Sequence, residues 1–406
     1  MDIWLINHYA VPPQYYPLAR PAIFAKYLQR SGHRVTIFAA STVHNSDQNL
    51  ITDGRNWREE YVDGVHYVYI RCRDYQGNGG SRILNMCEFA WKLPGVCARF
   101  DKPDAIVATS MPPMSCAVGI HLAQKYGCRA VAEIADLWPE SLIAYDVAGP
   151  RNPAVLLLRR LEKWIYKKAD AIVFTMEGAY DYILEQGWEK DIPRSKVHFI
   201  NNGVDMELFE YNRQHYPIED RDLDDSDAFK IVYTGSLRKA NNLGLLLDAA
   251  KRITDPRVKI LIWGAGDELE MLQKRLADEN ITNVVFKGRV DKKYIPYIIS
   301  RSNLNFLDVF DDRIAKYGIS SNKLFEYFAA GKPILISRMK NCPMGDAACN
   351  IYYEPTGQGI AAAITKVLDM DPQQYEAAFA AAREATRIYN FESLTQKLME
   401  VIEGIH

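Results

Sequence analysis

The feature that most restricts the fold of this 406-residue chain is a tandem alternation of short apolar runs with amphipathic helical stretches. In the first half the apolar runs are Ile3–Ile6, Val35–Ala39, Val65–Ile70, Ala105–Ala108, Ala130–Ile134 and Ala171–Phe174. Helical periodicity separates several of them, as in Pro21–Arg30 and Val155–Lys168. Strand, helix and strand in succession predict a parallel sheet wrapped by helices. After Asp205 the texture changes. Residues 206–228 are polar, and Glu219–Asp227 is dense in acid with no strand period, which reads as a linker. The alternation then restarts with Phe229–Thr234, Lys259–Trp263, Val284–Phe286, Leu304–Leu307 and Ile334–Ile336. Helices at Leu243–Ile253, Asp267–Asp278 and Lys323–Ala330 separate several of these runs. The expectation is an α/β protein of two doubly wound, Rossmann-like domains, residues 1–205 and 229–385, joined by 206–228. The length agrees, because single hydrophobic cores stop growing at about 250–300 residues.

Composition removes several function classes. Lys and Arg number 49 against 51 Asp and Glu, so the basic excess of a nucleic-acid binder is missing. The seven cysteines form no CxxC pair, which argues against a zinc ribbon or a redox motif and fits a reducing cytoplasm. The opening Met1-Asp2-Ile3-Trp4-Leu5-Ile6 reads as a first strand and not a signal peptide, and no window approaches a spanning apolar length. A cytoplasmic protein is expected.

The segment richest in chemistry is Tyr317–Pro333. Ser320 or Ser321 can cap a helix that begins near Asn322, and Gly331 with Pro333 ends it. The free N–H groups and positive dipole end of such a helix bind phosphate. Lys323 opens the helix, and Glu326 lies one turn beyond Asn322 on the same face. A carboxylate there can accept hydrogen bonds from a ribose diol. The alternative is a solvated helix acid, although Leu324, Phe325, Tyr327 and Phe328 leave it apolar surroundings.

This segment resembles the nucleotide-binding helix of the family-four retaining glycosyltransferases, which have the two-domain GT-B fold with a central cleft. Their pattern is two glutamates separated by seven residues, then Ala-x-Gly-x-Pro. Glu326 matches the second glutamate, which holds the donor ribose in that family, while the first falls on Gly318. Bacterial O-antigen and capsule transferases often share that departure. Four further stretches agree in order: Asn7–Pro13 with Arg20 and Gly32–Val35, Asn201–Asp205 with Phe209, Tyr233–Leu237, and Gly264–Gly266. In the family an Arg follows the glycine equivalent to Gly235 and a Lys lies a few residues on. Here those positions hold Ser236 and Asn241, so Arg238, Lys239 and Lys323 are the substitutes for neutralising a diphosphate. Gly235 lets the backbone turn beside the ligand. Gly266 closes a weak glycine triplet, where Asp267 with Glu270 also fits a helix capping box. By analogy Arg289 contacts the base. Asn322 and Ser321 complete the donor set.

Acceptor chemistry points to Glu133–Glu140, which follows an apolar strand and resembles the Asp-Leu-Trp-Pro of polysaccharide transferases. Asp136 is the first candidate to orient or deprotonate an acceptor hydroxyl and Glu133 the second, a helix N-cap at Asp136 being the competing reading. His8 is a third catalytic candidate, with a packed loop histidine as its alternative. The family's paired glycines are replaced by Tyr16-Pro17, so Arg20 and Tyr16 are expected either to meet phosphate or to shape an acceptor loop.

The resemblance implies a metal-independent, cofactor-free, retaining transfer from a nucleotide-sugar, UDP-linked, to a saccharide acceptor, lipid-linked in bacterial lipopolysaccharide, O-antigen or capsule synthesis. It also implies that a C-terminal helix, residues 386–406, crosses back to the first domain. The basic residues Arg159, Arg160, Lys163 and Lys167 beside leucines would suit peripheral contact with the inner membrane face, or simple snorkelling on a core helix. Rival readings are a nucleotide-sugar epimerase of the same fold and a non-catalytic scaffold.

Overall fold

A computed structural model describes residues 1–16, 19–44, 46–309 and 313–405. The chain divides into two compact units, Met1–Asn201 with Leu394–His406, and Asn202–Ser393.

The first unit holds an eight-stranded sheet. Its strands are β1 (Asp2–Ile6), β2 (Arg34–Ala40), β3 (Trp57–Val62), β4 (Val65–Ile70), β5 (Ala105–Ser110), β6 (Arg129–Ile134), β7 (Ala171–Phe174) and β8 (Val197–Phe199). Their order is β3-β4-β2-β1-β5-β6-β7-β8, and only β3 runs antiparallel, against β4. β5, β6 and β7 are buried along nearly their whole length, as strands covered on both faces must be.

The second sheet has six strands: β9 (Phe229–Thr234), β10 (Val258–Trp263), β11 (Val284–Gly288), β12 (Leu304–Leu307), β13 (Ile334–Ser337) and β14 (Asn350–Tyr353). All its pairings are parallel, in the order β11-β10-β9-β12-β13-β14. Its core packs Ile231, Tyr233, Ile260, Ile262 and Phe306 against Leu246 and Leu247 of helix Leu243–Ala250 and Ile360 and Ile364 of helix Gly357–Leu368.

In each sheet the chain reverses its direction of travel, between β1 and β5 and again between β9 and β12. At such switch points the loops leaving the C-terminal strand ends part company and open a crevice, where doubly wound folds bind ligands.

The linker reading of 206–228 needs correction. Helices Met206–His215 and Arg221–Asp224 occupy much of it, inside the second unit. Asp205 caps the first, and Asp220 caps the second by accepting from Asp222 and Leu223 N–H at 3.0 Å each. The acidic run is held by lysines of the sheet. Lys259 bridges Asp222 and Asp225 at 3.0 Å, and Lys287 bridges Asp220 and Asp222 at 2.7 Å. The final helix, Phe391–Glu403, belongs to the first unit from Leu394 onward, and Arg129 Nε donates to the Val401 carbonyl at 3.0 Å. Residues 386–393, expected in the crossing segment, stay with the second unit. Among the described residues no helix is long and apolar enough to cross a membrane.

Candidate functional site

The second unit contains a cleft of 410 Å³ at its switch point, walled by Gly235 and Ser236 after β9, Gly264 after β10, Arg289 and Lys292 after β11, and Lys323. Two backbone crossings shape it. A Cβ on Gly264 would lie 1.9 Å from the Gly235 carbonyl oxygen, and one on Gly266 would lie 2.0 Å from that of Leu237. The two glycines therefore let two loops cross, and Gly266 lies outside the cleft lining. The capping box read at Asp267 does not form. Helix Leu269–Asp278 has Glu268 at its N-cap and no side-chain cap.

Helix Asn322–Ala329 follows β12 and points its N-terminus to the switch point. Ser321 is the N-cap, yet its hydroxyl makes no capping bond, and Asn322 is half-buried beside it. The loop before it is held from behind, because Asn202 donates its side-chain amide to the Ser320 carbonyl at 2.9 Å. Asn202 belongs to the asparagine pair singled out in the sequence.

Lys323 reaches back to β9. Its Nζ donates to Asn241 Oδ1 at 2.8 Å and lies 4.8 Å from the Tyr233 ring centroid. Desolvation, reinforced by the neighbouring Lys292 charge, lowers its pKa to about 8. Asn241 also donates to the Ser236 carbonyl and hydroxyl, both at 3.0 Å. The two positions where the family's cations were missing thus orient Lys323 instead.

Glu326 is 5% exposed and its Oε2 accepts from Lys292 Nζ at 2.9 Å. No hydrogen bond to its Oε1 occurs among the described residues. One partner satisfies the buried charge, and Glu326 stands behind the cleft wall formed by Lys292 and Lys323 without lining it itself. Lys292 escaped the sequence reading. Its one signal was a second basic position three residues beyond Arg289, in a loop leaving a strand. Arg238 and Lys239, expected at the diphosphate, are exposed and line no wall of the cleft. They follow Leu237, whose burial turns the chain outward. Arg289 does line the cleft, with an exposed side chain.

In the first unit Asp136 follows β6. It caps nothing, since helix Glu140–Ala144 starts from Pro139 without a side-chain cap. Among the described residues Asp136 makes no hydrogen bond or ion pair, and its carboxyl reaches solvent from crowded surroundings. Desolvation raises its pKa. Glu133 is different. It is buried, its Oε1 accepts from Arg20 Nε at 2.8 Å and its Oε2 accepts from Thr109 Oγ1 at 2.9 Å. Both oxygens being engaged, it serves as an anchor and not a base. Arg20 also donates to the carbonyls of Asn201 at 2.5 Å and Ile200 at 2.8 Å, so it clamps strand ends together in place of meeting a phosphate.

His8 is likewise corrected. It is fully buried, and burial drives its pKa down to about 3. Asn85 gives its amide N–H groups to Thr42 Oγ1 and the Arg73 carbonyl, so its Oδ1 must accept from His8 Nε2 at 2.6 Å. A neutral, packed imidazole results. Tyr16 is half exposed, and Pro17 beside it lies outside the described residues.

Two family models match the chain and together cover most of it. Residues 22–203 match the glycosyl transferase 4-like domain, and residues 228–370 match the glycosyl transferases group 1. The chain belongs to the GT-B glycosyltransferases.

The putative colanic acid biosynthesis glycosyl transferase WcaI of Escherichia coli K12 is 24% identical over 392 residues, covering 92% of this chain and 89% of that protein. Sucrose-phosphate synthase from Thermosynechococcus elongatus superimposes with a TM-score of 0.70 at 17% identity, covering 100% of this chain and 98% of the other. Anabaena HepE, solved in complex with UDP, gives a TM-score of 0.68 at 13% identity with 100% of both chains covered. At these identities the two structures speak for the fold. In this transferase the switch-point cleft of the second unit lies beside the N-terminal residue Lys323 of helix Asn322–Ala329.

Proposed function

We propose that this transferase takes a sugar from a UDP-linked donor and places it, with retention and without a metal, on a saccharide acceptor of a bacterial surface polysaccharide. The observation that carries the reading is Glu326: a buried carboxylate with one oxygen unpaired among the described residues, one turn inside a helix whose N-terminal Lys323 lines the cleft. A ribose diol would donate to Glu326, and the diphosphate would sit between the helix N–H groups and Lys323. Lys292 would add a second cation. Together they would stabilise the charge that grows on the leaving diphosphate, in the place a metal would otherwise take.

The support for UDP is the HepE complex, and the support for polysaccharide assembly is the colanic acid relative. Asp136, open and unpaired at a strand's C-terminal edge, would orient the acceptor hydroxyl while the leaving diphosphate takes its proton. Lys292 and Lys323 would supply the diphosphate cations that the family carries at the positions of Ser236 and Asn241, which weighs against the non-catalytic scaffold.

A thermal-shift panel with UDP, GDP, ADP, CMP and TDP, with and without Mg²⁺, tests this. A ligand at 100 times its dissociation constant stabilises by about 2.7 kcal/mol, a clear shift. UDP should shift the wild type independently of Mg²⁺ and leave Glu326→Ala unmoved. No shift with any nucleotide would overturn the donor reading. Isomerisation of UDP-sugar in the absence of acceptor would replace transfer with epimerisation.

A further inference from the structure

Three helices of the first unit lie side by side on one face of its sheet: Gly80–Cys97, Pro113–Tyr126, which packs against both neighbours, and Pro153–Lys168. Each should turn polar residues outward, as helices on a sheet do. The middle helix does so through His121, Gln124 and Lys125, but the first and third also expose large apolar side chains. The outward stripe of the first carries Ile83, Leu84, Cys87 and Trp91, with Trp91 79% exposed. The outward stripe of the third carries Leu157, 65% exposed, and Trp164. Between them Met114, Ala117 and Val118 of the middle helix are only partly covered. Scattered exposed apolar residues need no explanation, but two such stripes flanking partly covered apolar residues mark an interaction surface.

The charges on these helices indicate what covers them. They hold eight Lys and Arg against Glu88 and Glu162, in a chain whose net charge is −2. Glu162 is buried, and desolvation raises its pKa to about 8, so it offsets little at neutral pH. Arg159 pairs with Glu140, and Lys163 and Lys167 pair with Asp191. Lys125, Arg160 and Lys168 are exposed with no ion pair among the described residues. A second copy of this face would bring like charges together. Apolar stripes interleaved with cations, with exposed tryptophans among them, match the chemistry of a bilayer interface carrying anionic headgroups.

We propose that this three-helix face docks on an anionic lipid bilayer. The N-terminal ends of the helices, with Ile83, Leu84 and Leu157, sit at the same C-terminal edge of the sheet as Asp136. Docking there brings the acceptor edge to the headgroup level, where an acceptor anchored by a lipid tail is presented. That last step rests on the transferase reading, whereas docking itself does not.

The test is flotation of the whole chain with vesicles of phosphatidylglycerol and phosphatidylethanolamine, against vesicles of phosphatidylcholine alone. The protein should float with the anionic vesicles and release as salt is raised. Cys87 is the only exposed one of the seven cysteines. An environment-sensitive fluorophore on it should shift to the blue on binding. Leu84→Ser with Trp91→Ser should lower the partition coefficient at least tenfold. Arg160→Gln with Lys168→Gln should lower it about fivefold per charge removed. All four positions are exposed, so unchanged melting temperatures confirm that the variants fold. Failure to float with anionic vesicles at low salt overturns the proposal, as does binding that the four substitutions leave intact. A dimer dispersed by the same substitutions would overturn it in favour of self-association. The nucleotide shift is read without lipid, so a failed flotation with a normal UDP shift removes docking alone.

Discussion

Replacing Glu326 by Gln keeps the shape of the side chain and removes its charge, and the consequence for donor binding can be worked through. The carboxylate has one oxygen on Lys292 at 2.9 Å and the other open. Hydrogen bonds from ribose hydroxyls to a carboxylate are charge-assisted and worth about 1.5–3 kcal/mol. The amide offers one neutral acceptor, so Glu326→Gln should weaken UDP by roughly 2–3 kcal/mol, about 30- to 150-fold. Lys292 loses its partner too, but its side chain is 38% exposed and can be rehydrated, so folding should suffer by under about 1 kcal/mol. A double-mutant cycle separates the ribose from everything else. Calorimetric titration of UDP and 2′,3′-dideoxy-UDP into both proteins should give a coupling energy near 2 kcal/mol, consistent with charge-assisted bonding. If the substitution weakens both nucleotides equally, Glu326 acts on the fold or the phosphates, and its assignment to the ribose is refuted.

Other outcomes follow from the same geometry. Asp136→Asn should leave UDP affinity within twofold and lower transfer by about 10²-fold, the loss that misplacing a reacting group brings; unchanged transfer in a radiolabelled-donor assay removes it from the mechanism. Lys323 titrates at about 8 in the unliganded protein, and only its protonated form attracts a diphosphate. UDP affinity should therefore hold below that value and weaken as pH rises through it, and Lys323→Gln should abolish that dependence in titrations across the range. Glu162 lies buried between the hydroxyls of Tyr166 and Tyr182, at 2.8 and 2.7 Å, and desolvation raises its pKa from 4.5 to about 8. Its folded form holds a proton that the unfolded form releases, so its contribution to stability is full below about pH 4.5 and is lost as pH rises toward 8. Glu162→Gln should flatten that slope in denaturant melts and stabilise the protein near pH 7 by about 3 kcal/mol; an unchanged slope would show that this carboxyl is ionised in the folded state.

Much of the architecture was legible in the sequence because a strand covered on both faces leaves an apolar run. Eleven of the strands announce themselves in this way. The others do not, for physical reasons. β3 is an edge strand that carries Arg58, Glu59 and Glu60 and is buried on neither face, β8 has three residues, and β14 mixes Asn350 with tyrosines. The acidic stretch at 219–227 looked like a linker because local polarity cannot show that Lys259 and Lys287 lie beneath it.

The sequence alone determined the βα alternation, the helix at Asn322–Ala329 and the place of Glu326 one turn within it, since these depend on residue spacing along a local element. Tertiary structure decided which side chains line the cleft. Arg238 was nearer in sequence to the glycine turn, yet Lys323 and Lys292 line the cleft. Glu133 and His8 carried suitable chemistry, yet Arg20, Thr109 and Asn85 consume it. Hydrogen bonds between residues 24 to 113 positions apart leave no trace in local pattern. Whether a polar group is free to act depends on the partners that folding brings to it.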